Sequence, residues 1–432
     1  MADVLADRDV AGAGTGRDGL AVAGWALLVT AGVVGGGALA ARNPQLGTDA
    51  APFHGHWQLL VRAGVVLPVA AAAALVRTGP RLAASMRWKA LLLAAPAAAF
   101  TWSASLAVTV GGHGFTSPLA NRHDYLAGVA AVNEPGAFLR TFTEALPSFP
   151  THVKGHPPGL VLVFWLGDAI GLGAPVFAAL LVVGVGASAV AAVLLAVRDV
   201  AGEDAARRAA PYLVLAPAAV WMATSGDAFH TGVGAWAVAA TVAATSRARL
   251  GWAVGAGLAW AVALLSSYGL VLLATVAVAV AARRRRIDVL VVTGASTLLA
   301  LAAVGIGTGF WWSAGLAATR RAYEAGIAAD RPAAVFLWLN LAAVAVALGP
   351  AAAPALRRAR GPVALVAGAA VAGLVLADLS LLSKGEVERI WLPWVPWVLV
   401  ATAALPSLGR RRWLAAQATT AVALQLVLRT PW

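Results

Sequence analysis

Residues 174–197 read APVFAALLVVGVGASAVAAVLLAV, a run of apolar and small residues without one charged side chain. A helix rises ~1.5 Å per residue, so about 20 such residues cross ~30 Å of hydrocarbon. The run lacks the alternation of polar and apolar residues that a lipid-facing β-strand requires. It therefore predicts a membrane-spanning helix, in which every backbone polar group is satisfied within the segment.

Similar apolar runs recur along the whole chain. They predict membrane spans at 20–41, 59–76, 90–110, 174–197, 209–224, 228–246, 251–266, 268–282, 288–309, 333–350, 361–381, 390–406 and 413–428. The predicted fold class is an all-α polytopic membrane protein with twelve or thirteen transmembrane helices, depending on whether the weak last run crosses. The shorter apolar segment 158–170 is predicted to be a juxtamembrane, half-inserted helix. We divide the chain into an N-terminal hairpin (1–89), a core (90–406) and a C-terminal span (407–432).

The composition excludes several other classes of protein. The chain is 60% hydrophobic and only 12% charged, which is too little charge to cover a soluble protein of 432 residues. Its net charge of +13 does not indicate a nucleic-acid partner, because the basic residues stand in short clusters between apolar runs. Cysteine is absent, which excludes disulfides and thiolate metal sites. The alternative for the first run, a signal peptide cleaved after Ala40, conflicts with the acidic segment that precedes it.

Alternate loops are strongly basic and together hold 19 of the 32 basic residues. These are Arg77, Arg81, Arg87, Lys89, Arg198, Arg207, Arg208, Arg247, Arg249, Arg283, Arg284, Arg285, Arg286, Arg357, Arg358, Arg360, Arg410, Arg411 and Arg412. The positive-inside rule places these basic loops and the N-terminus in the cytoplasm.

The remaining loops, which we call the varied loops, are 42–58, 111–158, 225–230, 310–332 and 382–390. All seven histidines lie in or beside them, at positions 54, 56, 113, 123, 152, 156 and 230. Exposed loops accumulate acids for reasons of solvation, but solvation does not require histidines on one side only. The distribution predicts a functional site on the extracytoplasmic side.

The loop 111–158 is too long for a simple connector, and long ordered loops are usually functional. Arg122 and His123 would keep the neighbouring Asp124 ionised, as a general base requires. The alternative is that Asp124 only caps the helix that begins near Tyr125. An amphipathic helix is predicted near 135–146.

Other varied loops supply further candidates. His156 begins His-Pro-Pro-Gly, a rigid turn that either holds His156 and Lys154 over a cavity or simply begins a helix. Asp227 joins two spans at a depth where an acid needs a partner or a wet cavity. The basic candidates for a phosphate ligand are Lys154, Arg320, Arg321, Lys384 and Arg389. Their alternatives are a solvated loop lysine, ion pairs to Glu324 or Asp330, and interfacial anchoring of Arg389.

Common catalytic motifs are absent. The chain has no Walker loop, no dinucleotide fingerprint and no Gly-x-Ser-x-Gly elbow, and His54-x-His56 is only a weak metal signal. We therefore expect neither a cofactor nor a bound metal.

The order of these features resembles the membrane-embedded glycosyltransferases of the GT-C superfold, especially relatives of the protein O-mannosyltransferases and the aminoarabinose–lipid A transferases. The resemblance covers roughly residues 90–400, and the stretch 385–393 is similar to actinobacterial integral membrane proteins of that group. It implies that the protein lies in a bacterial plasma membrane. The resemblance implies a polyprenyl-phosphate-sugar donor, a glycan, lipid or protein acceptor in the cell envelope, and inversion at the sugar carbon. It also implies Asp124 as general base, with Asp227 and His156 in the catalytic set.

The chain departs from this pattern in places. Many relatives carry two adjacent acids where this chain has His123 before Asp124, and 20–76 would be an additional hairpin whose Asp49 is a rival base. The alternative function is a transporter or flippase for a lipid-linked or small polar substrate, which predicts inverted repeats and charges within the spans. The sequence shows no convincing repeat and few such charges beyond Arg62 and Asp378. A non-catalytic scaffold is a third reading.

Overall fold

The computed structural model describes residues 2–223, 225–247, 249–326 and 328–431, with side chains from residue 16 onward. The α-helices of this part are α1 (Ala2–Thr30), α2 (Gly36–Arg42), α3 (Val66–Ser85), α4 (Trp88–Ala107), α5 (Tyr125–Val129), α6 (Pro135–Ala145), α7 (Thr151–Lys154), α8 (Gly159–Ala169), α9 (Pro175–Ala201), α10 (Glu203–Val214), α11 (Ala219–Met222), α12 (Gly226–Thr245), α13 (Gly251–Ser266), α14 (Ala274–Arg283), α15 (Ile287–Thr308), α16 (Trp312–Glu324), α17 (Ala333–Leu348), α18 (Ala352–Arg358), α19 (Gly361–Leu379), α20 (Val387–Ile390), α21 (Val395–Leu399) and α22 (Arg410–Val427). The strands are β1 (His56–Trp57) and β2 (Leu428–Arg429).

Shorter turns connect several of these helices. A π-helical turn, Ala31–Gly35, joins α1 to α2. The 3₁₀ helices are Pro44–Leu46, Ala63–Val65, Val108–Val110, Gly112–Phe115, Leu146–Ser148, Tyr268–Leu273, Leu392–Trp394 and Val400–Ala404.

The predicted class, an all-α polytopic membrane protein, is confirmed. Among the described residues, six helices are long and apolar enough to cross a membrane, and the bent pair α17 and α18, at 91°, would make a seventh. The six are Gly16–Arg42, Ala63–Ser85, Trp88–Val110, Pro175–Ala201, Ile287–Thr308 and Gly361–Leu379. This number is lower than the predicted twelve or thirteen because several predicted runs form short or broken helices. The run 390–406, for example, divides into the end of α20, a 3₁₀ turn that contains Pro393, the short helix α21 that contains Pro396, and the 3₁₀ turn Val400–Ala404.

The centre of the molecule is the contact between α9 and α12, whose buried residues are mostly small. A Cβ at Gly232 of α12 would overlap the backbone oxygen of Val185 in α9. The two backbones therefore lie against each other, as in membrane helix pairs with small residues at the interface. This contact places the first turn of α12, with Asp227 and His230, in the interior.

The N-terminal hairpin packs into the core rather than beside it. Phe53, in the loop between its two helices, is 1% exposed, and its ring centroid lies 5.5 Å from that of Trp221. The same loop forms β1, which pairs antiparallel with β2 at the end of the chain. Residues 43–62 are thus part of the same packed layer as the other varied loops.

This pairing also shows the course of the last helix. The helix α22 begins with Arg410, Arg411 and Arg412, which belong to a basic loop, and ends at β2, which pairs with a varied loop. Its 18 residues span about 27 Å at ~1.5 Å per residue. The weak C-terminal run therefore passes from the basic loops to the varied loops, although its apolar content is below that of the six spans.

The long loop 111–158 folds into a packed helical layer. The amphipathic helix predicted near 135–146 is α6, which buries Phe138 and Phe142 and exposes Arg140. Phe142 lies edge-on to Phe310 of another varied loop, with ring centroids 5.5 Å apart. The short segment 158–170 forms α8, a helix of 11 residues.

Candidate active site

Asp124 caps a helix, which is one of the two roles that the sequence left open, and it has a second contact to a histidine. It is the N-cap of α5, and its Oδ1 accepts a hydrogen bond from the Tyr125 backbone N–H at 2.6 Å. Its Oδ2 lies 2.7 Å from Nδ1 of His152, in the same varied loop but 28 residues away. The carboxyl group is 2% exposed, so both contacts are made in the interior.

His152 connects Asp124 to Arg389, which lies 237 residues further along the chain than His152. Its Nε2 lies 3.2 Å from a guanidinium nitrogen of Arg389. Arginine can only donate, so Nε2 accepts, and Nδ1 then carries the proton that is donated to Asp124. The contact of Nε2 with Arg389 therefore determines the tautomer of His152 in which Nδ1–H faces Asp124.

Arg389 donates hydrogen bonds to two carboxylates. Nη1 donates to Asp227 Oδ2 at 2.7 Å, and Nη2 donates to Glu386 Oε2 at 2.6 Å. The side chains of Arg389 and Asp227 are only 6% and 5% exposed. Ser225 Oγ also donates to Asp227 Oδ2, at 2.9 Å, and accepts from the Asp227 backbone N–H, since Ser225 is the N-cap of α12. Charge-assisted bonds of this kind are the strong ones in a desolvated site.

Two further histidines stand on the other side of Asp227. His156 Nδ1 lies 2.9 Å from the backbone oxygen of His152, to which it donates. Its ring stacks on that of His230, with centroids 4.9 Å apart and planes at 20°. His230 Nε2 lies 3.1 Å from Tyr125 Oη. One ligand atom from each of His156, Asp227 and His230 lies within 4.8 Å of the others.

Glu388 anchors the hairpin loop to this region. It is fully buried, and its Oε1 accepts a hydrogen bond from the His54 backbone N–H at 3.0 Å. Among the described residues, Oε2 has no hydrogen-bond partner.

Burial controls the protonation of these loop groups. It lowers the pKa of His156 to about 4, so that this imidazole is neutral near pH 7. It raises the pKa of Glu388 to about 7, and it raises that of Tyr125 well above its usual range. Burial would also raise the pKa of Glu386, but Arg389, His54 and Arg331 together outweigh it and hold that pKa below its ordinary value.

The structure brings together four of the eight residues predicted for the site: Asp124, His156, Asp227 and Arg389. The four remaining basic residues make other contacts. Lys154 Nζ donates to the Pro147 backbone oxygen at 3.4 Å, and Lys384 Nζ to that of Ala329 at 3.0 Å.

The two adjacent arginines stand at the surface of α16. Arg320 pairs with Glu324 at 2.8 Å, with both side chains more than half exposed, which is the alternative foreseen for it. Arg321 is exposed. Asp49, the rival base, is also exposed, in the hairpin loop.

Sequence reasoning missed His152, His230, Glu386 and Arg331 as members of the site. Arg331 donates to the Lys384 backbone oxygen at 2.6 Å and lies 4.0 Å from Glu386. The confinement of histidines to the varied loops was the one signal that included His152 and His230. No sequence pattern predicts that Arg331 lies near Glu386, because the two residues belong to different varied loops that meet only when the chain packs.

A groove of about 600 Å³ lies beside α5, the helix that Asp124 caps. Its walls include Leu126 from α5, Trp165 and Asp168 from α8, and Asn133 from the connection to α6. An aromatic ring with a few polar groups is typical of a site for a small polar ligand.

Fold and site together define the class: a polytopic helical membrane protein with a buried, ion-paired polar centre where its varied loops meet. No protein-family model matches the chain, and no curated protein sequence matches it. In structure it is similar to the oligosaccharyltransferase of Archaeoglobus fulgidus, crystallised in complex with Zn and sulfate, with 15% identity and a TM-score of 0.42. The likeness covers 79% of this chain and 54% of that protein, so the chain spans about half of its length. A likeness of this extent assigns neither a family nor an activity.

Proposed function

We propose that the protein is a membrane glycosyltransferase that moves a sugar from a polyprenyl-phosphate donor to a cell-envelope acceptor on the extracytoplasmic face. The observation that carries this proposal is the continuous chain of contacts from Asp124 through His152 to Arg389 and Asp227. It joins a carboxylate suited to proton abstraction to a guanidinium suited to a phosphate, which are the two groups that this transfer needs.

In this reaction the acceptor hydroxyl oxygen forms a bond to the anomeric carbon of the sugar. The bond from that carbon to the phosphate oxygen breaks with its electron pair, and the hydroxyl proton passes to Asp124. His152 holds the carboxylate in place through Nδ1–H, so that one oxygen keeps a lone pair toward the acceptor. Attack on the face opposite the leaving phosphate inverts the anomeric centre.

Arg389 is the proposed ligand of the leaving phosphate. Of its two carboxylate partners, Asp227 is buried, whereas the side chain of Glu386 is 25% exposed. A donor phosphate would therefore replace Glu386 rather than Asp227, and it would enter from the side where Glu386 meets solvent. Lys154, Lys384, Arg320 and Arg321 remain candidates for the diffuse attraction of the anionic headgroup.

The groove beside α5 is the proposed acceptor site. It lies beside the helix that Asp124 caps, and Trp165, Asn133 and Asp168 offer it an aromatic face and hydrogen-bonding groups. No cofactor is needed, because the leaving group is already activated as a phosphate ester.

The alternative, a transporter or flippase, has less support from the charges within the spans. Asp378 accepts a hydrogen bond from Asn340 Nδ2 at 2.9 Å, and Asn340 Oδ1 in turn accepts from the Gly385 backbone N–H. Arg62, which the sequence placed within a span, instead precedes the helix Ala63–Ser85 and donates to the Val110 backbone oxygen at 3.0 Å. These polar groups hold loops in place, whereas a transport path requires them to face a substrate.

The test uses the full chain in liposomes with a panel of radiolabelled polyprenyl-phosphate sugars and cell-envelope extracts as acceptors. We expect labelled product from wild type, a loss of at least about 10²-fold for Asp124→Asn, and normal transfer for the matched control Asp49→Asn. Both variants should show the wild-type melting temperature. Translocation of the labelled lipid without product would instead establish the transporter, and normal transfer by Asp124→Asn would overturn the assignment of the base.

A further inference from the structure

Two of the basic loops lie against each other and together hold six arginines. The first loop, 246–250, connects α12 to α13, and the second, 283–286, leads from the end of α14 to α15. The six are Arg247, Arg249, Arg283, Arg284, Arg285 and Arg286. We propose that these loops form a binding site for an anionic phospholipid whose headgroup carries two phosphates, as that of cardiolipin does. The site is separate from the candidate active site and does not rest on the proposed transferase activity.

Two of the six arginines fasten the loops to each other. Arg286 Nη1 donates to the backbone oxygens of Thr245 and Arg247, at 2.9 and 3.1 Å. Arg284 Nη1 donates to Thr245 Oγ1 at 2.8 Å. The second loop therefore grips the end of α12 and the start of the first loop, so the guanidinium groups of both loops are held on one structural unit.

The carboxylates beside these loops pair with the same two arginines. Arg284 lies 3.4 Å from Asp199, and Arg286 lies 2.8 Å from Asp288. Three further arginines are exposed, and in the described part of the chain their side chains have no hydrogen-bond or ion-pair partner. These three, which we call the free arginines, are Arg249, Arg283 and Arg285. The two loops thus keep an excess of positive charge that no residue of the protein neutralises within the described structure.

Arg285 provides an independent observation, because it stands at a position that favours glycine. Its φ of 56° lies in the left-handed region. The Arg285 N–H donates to the Ala282 oxygen and the Arg286 N–H to the Ala281 oxygen, which is the pattern of a Schellman turn at the end of α14. Glycine adopts this conformation without steric cost, so an arginine here reduces stability. The positive-inside rule explains basic residues in the loop, but it does not require one at this strained position.

The helices that follow the two loops offer apolar surface for acyl chains. The helices α13 and α15 pack side by side, since Thr293 Oγ1 donates to the Ala253 oxygen at 3.2 Å. Each begins at one of the two loops and carries exposed apolar residues from its start onward. These are Leu250, Trp252, Val254, Leu258 and Val262 at α13, and Ile287, Val291, Leu298, Leu299 and Ile306 on α15. A lipid whose headgroup lies at the loops would therefore place its acyl chains along these two helices.

Charge and apolar surface together specify the ligand. Three free guanidinium groups suit a headgroup with two phosphates, and basic pockets between transmembrane helices bind cardiolipin headgroups in this way. The start of α13 adds to the attraction for an anion, because in the described structure no side chain caps it and its first turn holds no acid. Cardiolipin also has twice the acyl chains of an ordinary phospholipid, which matches two adjacent apolar helices. An acidic protein would use the free arginines but not the apolar residues beside them.

The test measures lipid binding by the purified full-length protein after detergent has removed its bound lipid. Native mass spectrometry should show one cardiolipin per chain, bound at least about 10-fold more tightly than phosphatidylglycerol, which has one phosphate. Added cardiolipin should also raise the melting temperature. Inorganic pyrophosphate, which has two phosphates and no acyl chain, should leave the melting temperature unchanged. An equal rise with pyrophosphate would show that the loops bind phosphate alone and would overturn the lipid site, as would wild type that binds no cardiolipin.

Two triple variants separate the site from general electrostatic attraction. The variant in which glutamine replaces all three free arginines should lose cardiolipin affinity by about 100-fold. The matched control, Arg81→Gln with Arg87→Gln and Lys89→Gln, removes three exposed charges from the basic loop between α3 and α4 and should bind like wild type. Circular dichroism will show that both are folded. Equal losses of affinity in the two variants would mean that any basic loop attracts the lipid, which contradicts a specific site.

A single variant, Arg285→Gly, distinguishes lipid binding from a structural role. Glycine relaxes the left-handed backbone, so the melting temperature of the lipid-free protein should rise. The loss of one guanidinium group should at the same time weaken cardiolipin binding by about 5-fold. A purely structural arginine would give the opposite result, with a lower melting temperature and unchanged affinity for cardiolipin, and would remove Arg285 from the site.

Discussion

Arg389 and Asp227 form a buried ion pair of 2.7 Å although 162 residues separate them along the chain. The pair connects α20 to the first turn of α12, and two further contacts, Arg389 with His152 and His152 with Asp124, extend it. Each predicted residue that lies in the site therefore contacts this pair directly or through one intervening residue.

Breaking the pair from either side should destabilise the protein strongly. Asp227→Asn or Arg389→Gln leaves the opposite charge buried, which typically costs about 3–5 kcal/mol. We expect a clear fall in the melting temperature in detergent, followed by tryptophan fluorescence. The double variant should recover part of the loss, because neither charge is then left alone.

Arg320→Gln is the matched control for this measurement. It also removes one partner of an arginine–carboxylate pair, but Arg320 and Glu324 are more than half exposed. Such pairs contribute less than about 1 kcal/mol. Melting temperatures that fall equally in Arg320→Gln and Arg389→Gln would contradict the importance of burial.

His152 is a positioning residue for the proposed base, and its replacement should act on turnover. His152→Gln loses the link that holds Asp124 relative to Arg389, so we expect kcat of transfer to fall about 100-fold while KM for the donor stays the same. Steady-state kinetics with the donor found in the transfer assay will measure both constants. A rise in KM at constant kcat would mean that His152 binds the donor and does not orient the acid.

Glu388 should make stability depend on pH in a defined direction. Its pKa is 4.5 ordinarily and about 7 in the folded protein, so the folded state binds the proton more tightly. The tighter binding of this proton stabilises the folded protein fully below pH 4.5, and this stabilisation is lost as the pH rises through about 7. The difference between the two pKa values corresponds to about 3 kcal/mol of unfolding free energy.

Glu388→Gln, which stays neutral, removes this dependence. We expect the variant to melt at a higher temperature than wild type at pH 8 and at about the same temperature at pH 5. The pH series of melting temperatures of the two proteins will show it. Parallel curves from pH 5 to pH 8 would refute the raised pKa of Glu388.

Gly226 should tolerate no side chain, because a Cβ there would overlap the ring of Tyr125. That ring is 2% exposed and held by His230, so it has no space into which to move. We expect Gly226→Ala to cost about 1–3 kcal/mol, because the ring of Tyr125 would have to be displaced. Gly155→Ala, where a Cβ meets only ordinary contacts at 3.7 Å, should melt like wild type.

Parts of the fold could be read from particular stretches of sequence. The run 174–197 became α9, and the amphipathic segment near 135–146 became α6, because local periodicity and apolar length decide such helices. The number of spans could not be read in this way. Apolar runs such as 390–406 satisfy a hydropathy criterion, while their prolines break the helix into short pieces.

The candidate site was predictable only in part, for a related reason. Asp124 stood out beside two cationic neighbours in a long loop, His156 in a rigid turn, and Asp227 at a depth where an acid is costly. Arg389 stood out as an arginine that could bind a phosphate. His152 carried no signal beyond the confinement of histidines to the varied loops, and Glu386 carried none, because the role of each depends on its contact with Arg389. Arg320 and Arg321 stood out for the same reason as Arg389, yet Arg320 pairs with Glu324 and Arg321 is exposed.

The sequence by itself determined that this is a helical membrane protein with its chemically capable side chains in one set of loops. Composition, run length and charge distribution are local properties, and the bilayer acts on each segment separately. Only the tertiary structure decided which of those side chains meet. Contacts such as those of Arg389 with Asp227, and of His156 with His230, depend on how distant segments pack, and no local pattern encodes that packing.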